Sequence, residues 1–149
     1  MTTIGDMLGS KSDELVRYAL SIGDVHILPL GEVEGITPKD GDTRNKFFVV
    51  LGFDGSGNVI GGIVVNSKIN HHLPSSITDY YMPLTVEQCP FLKYNSFANC
   101  SHLVIVKKDK FDSRTYRGRI EDEDVMNMIV GTLHDSPYIS KRQLEEFGI

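Results

Sequence analysis

Arg44, Lys46, Lys68, Lys107, Lys108, Lys110, Arg114, Arg117 and Arg119 place positive charge in the middle of a 149-residue chain that is acidic overall. With 15 Lys and Arg against 20 Asp and Glu, the formal net charge is −5, which disfavours nonspecific coating of nucleic acid. The distribution allows one basic face that could meet phosphates, and equally a solvated surface of mixed charge. Acids gather apart from it, in Glu121-Asp122-Glu123-Asp124, in Glu145-Glu146 and near the N-terminus. His71-His72 could bind a metal, but adjacent side chains rarely address one ion, and loop surface is the preferred reading. Cys89 and Cys100 are too few for a disulfide scaffold and lack metal-ligand spacing, so buried thiols in a cytoplasmic protein are expected. There is no phosphate-binding glycine loop, dinucleotide fingerprint, paired-histidine zinc helix or nucleophile elbow, and no cofactor is expected.

The elements that must position these residues read as a β-rich domain with helices at its two ends, one domain over 1–149. Residues 12–20 form a short helix in this reading, with Ser12 as cap and Gly23 beyond its end. Residues 25–30 are a first strand, and Pro29 marks an edge or bulge. Residues 31–45 are rich in Gly, Asp, Thr and Pro and read as a long loop of the kind that is functional or mobile. The apolar run 46–51 is a central strand, turned by Phe53-Asp54-Gly55-Ser56-Gly57-Asn58 into an antiparallel partner at 59–65. Phe48, Val50, Ile63 and Val65 are the expected interior of that hairpin.

Further strands fall at 79–84 and 101–106, with a less regular stretch at 87–99 between them. From Glu121 the period becomes helical, with Val125, Met128, Ile129 and Leu133 on one face and acids at the start. Ser136-Pro137 ends this helix, and Ser140 caps a last short one carrying Leu144 and Phe147. No apolar run approaches the roughly 20 residues needed to cross a bilayer. The opening Met1-Thr2-Thr3-Ile4-Gly5-Asp6 lacks the regions of a signal peptide. A cytoplasmic protein without membrane association is expected.

The order of the segments is more specific than any one of them. It runs Ile22-Gly23-Asp24-Val25, strand, loop, Arg44-Asn45-Lys46, apolar strand, hairpin, Val64-Val65-Asn66-Ser67-Lys68, and later Gly118-Arg119-Ile120 before a helix. Over roughly residues 23–133 this resembles the MazF/PemK family of type II toxin–antitoxin endoribonucleases. The resemblance implies an SH3-like, PemK-type β-barrel with a C-terminal helix, to which the N-terminal helix and residues 141–149 are additions. Where the family has Arg-Pro before its second strand, this chain has Arg44-Asn45-Lys46-Phe47. The family's threonine falls at Ser67 or Asn66.

The activity so implied is metal-independent cleavage of single-stranded RNA, in which the substrate's own 2′-hydroxyl attacks the adjacent phosphodiester. Arg44 would stabilise the added negative charge, since its planar fork matches phosphate oxygens and stays protonated. The Ser67 hydroxyl would donate to a non-bridging oxygen. Lys46, Lys68, His71 and His72 would hold flanking phosphates. A homodimer neutralised by an antitoxin protein is implied as well. The alternative is a catalytically silent barrel of the same type that binds a protein or nucleic acid.

Overall fold

The computed structural model describes residues 20–37 and 41–149. The expected helix at 12–20 therefore lies outside the described residues, apart from Leu20, which is buried. The chain forms β1 (Asp24–Gly31), β2 (Thr43–Phe53), β3 (Val59–Asn66), a single helical turn α1 (Ser75–Thr78), β4 (Tyr81–Leu84), β5 (Ser96–Lys107) and β6 (Tyr116–Arg119). Two helices follow, α2 (Glu123–Asp135) and α3 (Lys141–Glu146), giving a mixed α+β architecture. The strands make one six-stranded antiparallel sheet in the order β4-β5-β3-β2-β1-β6. It is an open sheet, with β4 and β6 at its edges, rather than a closed ring.

The β2–β3 hairpin forms where its turn residues require it. Gly57 takes a positive φ of 74°, and the Asp54 carboxylate accepts hydrogen bonds from the Ser56 hydroxyl at 2.8 and 2.9 Å. Both faces of the hairpin are covered, which is why β2 shows almost no polar alternation. Val49, Leu51, Ile63 and Val65 join one buried cluster together with Val125, Ile129 and Leu133 of α2. Phe48, Val50, Ile60 and Val64 join the other, with Leu28, Leu30 and Phe111.

The expected interior set of Phe48, Val50, Ile63 and Val65 thus mixes two sides of the sheet. Phe48 pairs with Val64 and Val49 with Ile63, so an offset of one residue moves a side chain to the opposite face. β1 lies between β2 and β6 rather than at an edge, and its register shift falls at Val25/His26 rather than at Pro29. Pro29 is accommodated because, among the described residues, the β1–β6 pairs end at His26 and Tyr116.

Two other expectations are corrected by long-range pairing. β2 starts at Thr43, so Arg44 and Asn45 are strand residues opposite Leu30 and Pro29, not the end of a loop. β5 starts at Ser96 because residues 96–99 lie between β4 and β3, in a stretch whose sequence looks irregular.

The Asp122 carboxylate caps α2 by accepting from the backbone N–H of Asp124 and Val125. Val125, Ile129 and Leu133 are buried at the four-residue spacing, but Met128 is 57% exposed, and Met126 packs against the core in its stead. Ser136 ends the helix and its hydroxyl donates to the Ser101 carbonyl at 2.5 Å. Ser140 caps α3 through the Gln143 N–H, as expected, and Leu144 and Phe147 are buried, with Phe147 just past the end of the helix at its C-cap. The Phe147 carbonyl then accepts from the Phe53 N–H at 3.1 Å. Gly52 makes that approach feasible, since a Cβ there would lie 2.1 Å from the same oxygen. Cys89 and Cys100 are free and buried, and burial pushes their thiols up to about 11 and about 12. No described helix is long and apolar enough to cross a membrane.

His26 is buried on β1 with its Nδ1 2.8 Å from the Thr115 hydroxyl and its ring edge-on to Phe111 and Tyr116. Its Nε2 has no hydrogen-bond partner among the described residues. Burial lowers its pKa from the usual 6.5, against the opposing pull of Asp24 and Asp112, and Arg117 adds to the lowering. The unfolded chain therefore takes up this proton first as the pH falls. The stability contributed by neutral His26 is full above about pH 6.5 and declines below it. Denaturation midpoints should drop between about pH 7.5 and about 5.5, and drop less in His26→Phe. An equal drop in both proteins would assign the acid sensitivity to other groups.

Candidate nucleic-acid interface

One end of the β2–β3 hairpin builds a cavity of about 1060 Å³. That is slightly above the roughly 300–1,000 Å³ typical of small-ligand clefts. The register explains its composition. Phe47 faces Val65, so the residues preceding Phe47 and those following Val65 leave the ladder side by side. Arg44 and Lys46 alternate on one strand, with Asn66, Ser67 and Lys68 on the other side. The Lys46 ammonium donates to the Asn66 side-chain oxygen, joining the two strand ends. Burial raises the pKa of the Tyr81 hydroxyl, and a hydrogen bond with Asn66 partly offsets this.

The rest of the lining comes from elements distant in sequence. Phe91, Lys93 and Tyr94 enter from the loop between β4 and β5, and Arg117 from β6. The Phe91 ring packs on Phe47 with centroids 5.8 Å apart. Arg44, Lys46, Lys68, Lys93 and Arg117 all line the cavity, and no Asp or Glu does among the described residues. In a chain of net charge −5, this is a local concentration of one sign, and it focuses the field on an incoming polyanion.

The basic residues divide into two groups. Arg119 is paired with Asp24 at 2.7 Å and Lys110 with Glu34 at 3.5 Å, which joins segments distant in sequence, while Arg114 makes a local pair with Asp112 at 2.8 Å. Arg44, Lys68, Lys93 and Arg117 make no ion pair among the described residues. One Arg117 nitrogen donates to the Arg114 and Tyr116 carbonyls at 2.7 and 2.9 Å, which fixes that guanidinium against β6.

Of the residues singled out by sequence, Arg44, Ser67, Lys46 and Lys68 are brought together on this wall. Ser67 is exposed, and its hydroxyl has no hydrogen-bond partner among the described residues. His71 and His72 are not part of the wall; they follow it on an exposed turn, where the His72 N–H donates to Asn70 at 2.9 Å. No group of three or more His, Cys, Asp or Glu among the described residues is placed to hold a metal ion. Arg44 and Asn45, read from sequence as the end of a long loop, line the cavity from the exposed start of β2. Lys93, Tyr94 and Arg117 were not foreseen as site residues. The run Phe91-Leu92-Lys93-Tyr94, a cation among aromatics, is the sequence signal that could have pointed to two of them.

Chemically, the wall offers a bidentate cation, an unengaged hydroxyl and several ammonium donors, a set that suits phosphodiester oxygens. Among the described residues it offers no carboxylate and no imidazole. Compared with known proteins, the chain matches no family model and no curated sequence.

Proposed function

We propose that this chain binds single-stranded RNA in the basic cavity and cleaves it as a metal-independent, toxin-type endoribonuclease on a PemK-like, SH3-related scaffold. One observation carries the reading: Arg44 and Ser67, expected from sequence to act together, line a single cavity whose cations number five with Arg44 included and which no described acid lines. In the reaction the 2′-oxygen forms a bond to phosphorus as the bond to the 5′-oxygen breaks. The 2′-hydroxyl loses its proton, the departing 5′-oxygen gains one, and the products are a 2′,3′-cyclic phosphate and a free 5′-hydroxyl. Arg44 and Ser67 meet the non-bridging oxygens, where charge accumulates. The wall therefore acts by stabilising charge rather than through a histidine or carboxylate base. A cytoplasmic homodimer held in check by an antitoxin protein belongs to the same reading, and an acidic antitoxin segment would compete for these cations.

The test is incubation with a single-stranded RNA and its DNA counterpart in the presence of EDTA. The expected result is cleavage of the RNA alone, leaving a cyclic phosphate, since the nucleophile belongs to the substrate. Chelator-sensitive cleavage, or cleavage of the DNA, would overturn the mechanism. The lack of a described carboxylate or imidazole in the wall favours a second reading, a silent RNA-binding module, and tight binding without any product would select it.

A further inference from the structure

Tyr94 is 59% exposed on the cavity wall, and its ring makes no hydrogen bond or ring contact among the described residues. The backbone behind it is fixed. The Ser96 hydroxyl donates to the Tyr94 carbonyl at 2.9 Å, the Asn95 side chain accepts from the Val86 N–H at 3.0 Å, and the Leu92 N–H bonds to the Cys89 carbonyl at 3.0 Å. The ring is thus presented by an ordered loop, and only two side-chain torsions remain to be settled on binding. Lys93, its neighbour in sequence, lines the same wall. A flat π face and, at the adjacent residue, an ammonium that makes no ion pair among the described residues suit one nucleotide, with the base stacked on the phenol and its phosphate at the cation. A base inside a duplex has both faces already covered and cannot use such a platform.

We propose that Tyr94 is the base-stacking subsite of the cavity, that Lys93 holds the phosphate of the stacked nucleotide, and that the pair selects unpaired RNA over duplex. This rests on the RNA-binding reading above and adds to it the source of strand selectivity. The experiment measures binding by fluorescence polarisation to a short 2′-O-methyl RNA strand, which resists 2′-hydroxyl attack. The same strand is also presented as a duplex and with abasic residues. Tyr94→Ala should weaken binding to the single strand about tenfold or more. It should leave binding to the duplex and the abasic strand unchanged, and Tyr94→Phe should behave as the parent. The salt dependence of binding should be unaltered by Tyr94→Ala and reduced by Lys93→Ala. Equal losses on the intact and abasic strands, or no loss on either, would overturn the stacking role while leaving RNA binding in place. Failure of the parent protein to bind any of the three RNAs would overturn the functional reading as well.

Discussion

Replacing Arg44 with alanine is expected to slow RNA cleavage about 100-fold or more, the scale seen when one preorganised donor to a developing oxyanion is removed. Arg44 lies on the exposed start of β2, opposite Leu30, and no ion pair holds it among the described residues. The fold should therefore survive its loss, and the denaturation midpoint should stay within error of the parent. Arg44→Lys keeps the charge but not the fork, so it should recover binding more than rate. Lys68→Ala provides the contrast: it should weaken binding and make the slope of log affinity against log salt shallower by about 0.7, the value for one phosphate contact on a single strand. Single-turnover rates at saturating protein, with binding isotherms at several salt concentrations, separate the two effects. An Arg44→Ala rate equal to the parent's would remove Arg44 from the chemistry and leave a basic binding cleft.

Convergence of Arg44, Lys46, Ser67 and Lys68 was legible because it needs only one hairpin. The turn at residues 54–58 and the apolar runs on either side fix the pairing, and the pairing sets the two strand ends together. Helix starts were legible for a similarly local reason, since Asp122 and Ser140 each satisfy backbone donors two or three residues ahead. What sequence could not supply is whatever depends on distant elements. Lys93, Tyr94 and Arg117 reach the cavity from a loop and an edge strand that only tertiary packing brings near β2.

Face assignment in the hairpin failed for another reason. With both faces of β2 buried, every position from Phe48 to Leu51 is apolar, and no alternation remains to tell one side from the other. The register shifts at Val50/Gly52 and Gly62/Val64 then change which residues share a side. Thr43, Arg44 and Asn45 look like loop residues because their strand conformation is imposed by β1 across the sheet, not by their own propensity. The resemblance to a barrel rested on element order, and order alone does not specify whether the two edges of a sheet meet.

Ile129→Asp is expected to destabilise the protein by about 4 kcal/mol, a large fraction of the roughly 5–15 kcal/mol that separates a typical domain from its unfolded state. Ile129 is fully buried on α2, between Val125 and Leu133 at 2% and 0% exposure, in the cluster that includes Val49, Leu51, Ile63 and Val65 of the sheet. A carboxylate placed there would lose its water among apolar side chains. Met128→Asp is the matched control. It introduces the same group one residue away, on the same helix, at a position 57% exposed. Its effect should stay within about 0.5 kcal/mol. Urea denaturation of the two variants beside the parent decides the matter. A large loss for Ile129→Asp alone would establish the narrow stripe of Val125, Ile129 and Leu133 as the contact with the sheet. Comparable losses for both would mean that Met128 is covered in solution, and that the outer face of α2 is an interface. An unchanged midpoint for Ile129→Asp would show that α2 does not pack on the sheet through this face.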